Sequence, residues 1–149
     1  MDQQNFDDYF NKRYLDQIGY YEAKSGENQL IYRYLQWALI ILAALTPALI
    51  ELDLNTLFGK GFSHIATLTS VTVAILTAAL KTFKYQENWI NYRTTCEALK
   101  KERYLYEAGL GDYQNSADRQ AQFIDRVEAL ISRENTLWLS FQKKKEEKK

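Results

Sequence analysis

The chain has 149 residues, with nineteen basic residues balanced by nineteen acidic ones, one histidine and one cysteine. That length suits a single domain, and the even charge gives no electrostatic footprint for nucleic acid. A lone Cys96 excludes an intrachain disulfide framework, and a lone His64 excludes a Cys/His zinc cluster within one chain.

The first element in chain order is an amphipathic helix over residues 3–24, with Phe10, Tyr14, Ile18 and Tyr21 on one stripe. The stripe is expected to pack on helices further along the chain, with burial of its rings at a membrane interface as the alternative. The stretch Lys-Ser-Gly-Glu-Asn, 24–28, is read as a break. A charge-free run from Tyr34 to Ile50 follows and, extended to residues 30–52, predicts a first membrane span. Its apolar stretch rises about 25 Å as a helix, near the short limit for a bilayer, and Tyr34 and Trp37 suit the interface.

Residues 53–60 form a short connection, and Gly61 to Leu80 is a second charge-free run, flanked by Lys60 and Lys81. It carries six hydroxyls, of which Ser63, Thr67, Ser70 and Thr77 share one stripe with Ala74 at four-three spacing. Small and hydroxylated residues in membrane helices mark close contacts, so the stripe is expected against Ala44 and Ala48 or against a neighbouring subunit. A ring of such stripes would also line a narrow water path. The apolar run that opens a secretory signal does not precede the first span, so Tyr34 to Ile50 is expected to act as the inserting segment. Lys24, Arg33, Lys81, Lys84 and Arg93 lie beyond the outer ends of the spans, against Lys60 alone in the connection. The positive-inside bias therefore predicts both termini in the cytoplasm.

Between Leu80 and Gly109 there is neither glycine nor proline, so one helix is expected over residues 61–108, about 70 Å long. Its second half carries Tyr85, Trp89, Tyr92, Cys96, Leu99, Arg103 and Tyr106 as a heptad seam. Gly109 is placed as a C-cap and Ser116 as the N-cap of a last helix over residues 117–142, ahead of a charged tail, 143–149. That helix repeats the spacing at Phe123, Val127, Leu130, Glu134, Leu137 and Phe141. A turn about Tyr113 sets Arg103 beside Phe123, Leu99 beside Val127, Cys96 beside Leu130, and Glu134 beside Tyr92 and Arg93. Glu134 and Arg93 are then read as a partly exposed ion pair that fixes register, with a catalytic or ligand-binding carboxylate as the alternative. The predicted fold class is thus an all-α membrane protein: a two-helix transmembrane hairpin, a long cytoplasmic helix packed antiparallel on a C-terminal helix, and an N-terminal amphipathic helix.

No Ser/His/Asp arrangement, metal-ligand cluster or glycine-rich phosphate loop occurs, which speaks against an enzyme and implies no cofactor. Two stretches, WINYRTTCEALKKERYLYEAGLGDY and FIDRVEALISRENTLW, resemble the bacterial SLATT family, a two-transmembrane effector domain associated with nucleotidyltransferases and nucleotide sensors. Trp89, Tyr92, Arg93, Glu97, Leu99, Lys100, Glu102, Tyr106 and Tyr113 carry the likeness on the first arm, and Phe123, Glu128, Glu134 and Trp138 on the second. The resemblance implies a homo-oligomeric, pore-forming effector of the bacterial cytoplasmic membrane in a nucleotide-linked antiviral defence. With no sensor domain fused to the chain, its trigger would come from a separate nucleotide-sensing or nucleotide-synthesising partner. A membrane-anchored scaffold whose cytoplasmic helices dock a partner is the competing reading.

Overall fold

The computed structural model describes residues 3–51 and 64–146, with side chains described up to Arg133. Every element among the described residues is helical. Helix α1 (Gln3–Tyr9) runs through a π-helical turn, Phe10–Tyr14, into α2 (Leu15–Glu51). Helices α3 (Ile65–Phe83) and α4 (Tyr85–Ala108) follow, then a 3-10 turn, Gly111–Tyr113, and α5 (Arg119–Glu146). The chain divides into two compact units: Met1–Gly26 with Trp89–Lys149, and Glu27–Asn88.

The first unit is organised by aromatic rings. Tyr14, Leu99, Tyr113, Phe123 and Val127 are fully buried, joined by Phe6, Tyr21, Cys96 and Ile131. The expected N-terminal stripe therefore packs into this unit, extended by Phe6. Burying an aromatic or aliphatic side chain of this size contributes about 1.5–3 kcal/mol, so these few residues dominate the unit's stability. Phe6, Phe10, Tyr14 and Tyr106 all meet the Phe123 ring, with centroids 4.9–6.1 Å away; the closest is Tyr106 at 4.9 Å. The π-helical turn spaces Phe10 and Tyr14 so that their rings stack at 5.0 Å.

Helix α4 ends as its chemistry dictates. Gly109 takes φ +63, the Gly109 N–H donates to the Tyr106 carbonyl at 3.1 Å, and the Leu110 N–H donates to the Leu105 carbonyl at 3.0 Å. This pair of bonds is a Schellman cap, and glycine adopts the left-handed conformation without a Cβ penalty. The next helix is capped by Asp118 rather than the expected Ser116: its Oδ1 accepts the Ala121 N–H at 3.1 Å. An aspartate directly before the first helical residue reaches that amide, whereas Ser116 stands too far back. Helix α5 then runs on to Glu146, past the expected end at 142.

In the second unit the two apolar stretches of α2 and α3 are long and apolar enough to cross a membrane, and neither is buried within the chain. Their outer faces expose Trp37, Ile41, Leu45, Ile50, Leu68, Val71 and Ile75. Thr46 and Thr69 approach each other, Oγ1 to Oγ1 at 3.4 Å.

Two further boundaries and one contact between the arms differ from expectation. The break at residues 24–28 is absent: α2 passes through Gly26 without interruption. A mid-helix glycine costs about 1 kcal/mol, less than a helix anchored on both sides gains by continuing, and the Ser25 hydroxyl finds an acceptor in the Trp89 carbonyl at 3.2 Å. Conversely, the single helix expected over 61–108 is interrupted at Lys84, which sits at φ 52, ψ 36. The contact expected at Phe123 also differs. Phe123 meets Tyr106, one turn beyond Arg103, while the Arg103 guanidinium lies 5.3 Å from the Phe10 ring centroid. The Tyr106–Phe123 pair is centred just past Tyr113, about which the expected turn is symmetric.

Candidate functional site

The most organised polar cluster of the first unit is centred on Glu102. Its residue exposure is 5%, the one buried charged residue among those described. Glu102 lies one position before Arg103 of the seam, on the flank of α4 that faces the 3-10 turn and α5. Its Oε1 accepts the Tyr113 hydroxyl at 2.5 Å and the Arg126 Nε; its Oε2 accepts Arg126 Nη2 at 3.3 Å. Arg126 Nη1 continues to Asp112. A carboxylate removed from water needs such a set of donors, and a two-pronged guanidinium supplies the matching geometry. Burial first, then the bond to Glu102, pushes the Tyr113 phenol far above its ordinary range, so it stays a donor.

A second cluster repeats the chemistry between α5 and the N-terminal segment. Glu128 accepts Arg13 Nε and Nη2, each at 3.0 Å, and the Tyr9 hydroxyl at 2.9 Å. The Arg13 guanidinium holds the Glu128 carboxyl below its ordinary range, helped by Tyr9. A third pair, Lys100 with Glu22 at 2.6 Å, joins α4 to α2 nearer the other end of the unit. Each cluster links two segments far apart in sequence, and both Glu–Arg–Tyr sets leave the carboxylate oxygens occupied. They act as clasps. Among the described residues no group of three or more His, Cys, Asp or Glu is disposed to hold a metal ion. Burial pushes the Cys96 thiol up, which suits a core residue rather than a nucleophile.

Of the residues singled out by sequence, Glu102 and Tyr113 meet, while Glu128 stands in the second clasp. Tyr92 joins a ring cluster with Tyr20 and Tyr21, at 6.3 and 6.1 Å. Trp89 has its indole Nε1 buried without a hydrogen-bond partner, and Arg93 is exposed. The side chains of Glu134 and Trp138, and Ser63, lie outside the described residues, so the Arg93–Glu134 pair does too. Arg126, Asp112, Arg13 and Tyr9 escaped the sequence reading. For Arg126 the available signal was its place beside the heptad seam of α5, where ionic partners of such helices sit; Tyr9 and Arg13 directly precede Phe10 and Tyr14 of the N-terminal stripe, and Asp112 in the turn carried no signal.

In the second unit Thr67, Ser70 and Ala74 are exposed on the chain and Thr77 is half-buried. Ala44 and Ala48, the expected contacts of that stripe, are exposed as well, while Thr46 approaches Thr69 of α3. The hydroxyls of Thr69, Ser70, Thr72 and Thr77 each donate to a carbonyl three or four residues earlier in α3, at 2.8–2.9 Å. Thr46 does the same toward Leu42 at 2.8 Å. Because a hydroxyl has one proton, the Thr46–Thr69 approach becomes a hydrogen bond only when one of the two releases its own helix.

The family model that matches residues 16–121 is described as a protein of unknown function, DUF4231, and the chain belongs to that family. No curated protein and no solved structure matches the chain. The match takes in both apolar helices, α4 and the Glu102–Tyr113 contact. Arg126 and the Arg13–Glu128 clasp lie outside it.

Proposed function

We propose that this DUF4231 protein is an integral membrane protein of the bacterial cytoplasmic membrane that assembles with copies of itself into a pore- or channel-forming effector. The reading rests on one observation: two long apolar helices, neither buried inside the chain, whose large aliphatic side chains face outward. Lipid is the solvent that such faces require. The lysine and arginine asymmetry puts both termini in the cytoplasm, where α4 and α5 lie antiparallel and hold the N-terminal helix. Two helices cannot enclose a path alone, so conduction needs a ring of subunits, and the exposed stripe of Thr67, Ser70 and Ala74 supplies the subunit contact. The likeness to SLATT proteins adds the biological setting, a nucleotide-linked defence triggered through a separate partner.

A second reading, a membrane-anchored scaffold without conductance, is favoured by the hydroxyl bonds of α3. Hydroxyls already satisfied by their own helix face lipid or protein equally well and need no water. Purified protein in nanodiscs separates the two by its mass and by its conductance in planar bilayers. A closed oligomer that conducts, and loses conductance when Thr67, Ser70 and Thr77 are replaced by leucine, supports the pore. A closed oligomer without conductance leaves the scaffold, and a strict monomer removes the pore.

A further inference from the structure

We infer that Lys84 is a hinge, at which the chain exchanges between the interrupted helix of this structure and one continuous helix from α3 into α4. The inference rests on the membrane-hairpin reading only for its setting, the end of the second span, and not on conduction.

The interruption runs against the local sequence. Residues 81–88, Lys-Thr-Phe-Lys-Tyr-Gln-Glu-Asn, contain neither glycine nor proline, yet Lys84 adopts the left-handed conformation, φ 52 and ψ 36. A lysine has no intrinsic reason to be there, because its Cβ crowds the backbone. The helical ladder crosses the junction through two bonds only: Lys84 N–H to the Leu80 carbonyl at 3.3 Å and Asn88 N–H to the Lys84 carbonyl at 3.0 Å. The amides of Tyr85, Gln86 and Glu87, the first turn of α4, return to no carbonyl of α3. In a continuous helix they would pair with Lys81, Thr82 and Phe83.

Two side-chain contacts take the place of that missing ladder. The Asn88 amide donates to the Phe83 carbonyl at 3.2 Å, occupying the acceptor that the Glu87 N–H would use, and Lys84 Nζ meets Glu87 at 2.6 Å. The ion pair is exposed on both sides and holds weakly. Local conflicts gathered at one junction, with an alternative that the same residues favour, are the signature of a bistable element.

Amide hydrogen exchange of the full chain in nanodiscs tests this. In the wild type, Tyr85, Gln86 and Glu87 should exchange faster than Cys96 and Leu99 on the same helix. Asn88→Leu frees the Phe83 carbonyl and should slow all three amides by at least about fivefold, the preference of a non-glycine residue against the left-handed region. Adding Lys84→Gly, which removes that preference, should restore fast exchange. Protection of the three amides in the wild type overturns the interruption itself. Fast exchange in every variant shows a fixed bend and overturns the hinge, as does slow exchange that Lys84→Gly fails to reverse. None of these results depends on oligomer size or conductance, so they stand apart from the test of the pore.

Discussion

Replacing Arg126 with leucine tests whether the Glu102 clasp holds the aromatic unit together. The change leaves a buried carboxylate with the Tyr113 hydroxyl, at 2.5 Å, as its remaining partner from this cluster. Stripping one partner from a fully shielded pair costs about 3–5 kcal/mol. The Glu102 side chain is 7% exposed but that of Arg126 is 41% exposed, so water reaches the vacated side. Screening there lowers the expected loss to about 2 kcal/mol. Cys96, 3% exposed in the same core, reports it directly. Its thiol reacts when the unit opens, and where reclosing outpaces labelling the rate follows the opening equilibrium. A loss of that size makes labelling about 30-fold faster at fixed pH. Tyr113→Phe, which deletes a hydrogen bond to a charged group, should accelerate it about tenfold. Adding Glu102→Gln to Arg126→Leu removes the stranded charge and should recover part of the loss. Labelling within about twofold of the wild type, or strictly additive effects in the double variant, would refute the clasp.

Gly109→Ala places a Cβ at φ +63, where strain of about 1–2 kcal/mol outweighs the 3.1 Å approach to the yielding end of Arg119, so Cys96 labelling should rise about five- to thirtyfold. Alkaline titration should unfold the first unit through Tyr14, whose phenol burial pushes up to about 12. A raised pKa means that the neutral phenol's contribution is complete below about pH 10 and is lost as pH climbs to about 12; Tyr14→Phe should blunt that loss in circular dichroism. At the acid end the sign reverses: Arg13 depresses Glu128, so its contribution holds above the ordinary glutamate range and disappears as pH falls below about 4. Arg13→Leu should flatten the acid fall in thermal stability, modestly, because the pair is 49% and 35% exposed.

The parts of this fold that the sequence reveals are those with a period or a local chemical rule. Cys96, Leu99, Tyr106, Phe123 and Val127 repeat at four-three spacing and are buried or half-buried; Tyr14, Ile18 and Tyr21 share a stripe and do the same. Gly109 is readable because a left-handed cap needs glycine. What stays hidden depends on which residues face each other across the arms. The partnership of Glu102 with Arg126 requires the register, and the register depends on where the turn between the arms is centred. No spacing encodes that. Gly26 misleads because a single residue's propensity, worth about 1 kcal/mol, is outweighed by the helix that continues on either side of it; the left-handed Lys84 misleads because neither glycine nor proline marks it.

The hydroxyls of α3 show how the same physics bears on function. In a bilayer an unpaired donor is costly, so a hydroxyl-rich helix invites the inference that it faces water or another polar helix. Here Thr69, Ser70, Thr72 and Thr77 donate back to their own helix, which removes that need. What remains distinctive about Thr67, Ser70 and Ala74 is size: small side chains let a neighbouring backbone approach closely, whether or not a water path lies between subunits. Their exposure therefore supports assembly more strongly than conduction. If leucine at Thr67 and Ser70 blocks conductance while the oligomer keeps its size, a water path is required; if the oligomer falls apart, close packing explains the stripe by itself.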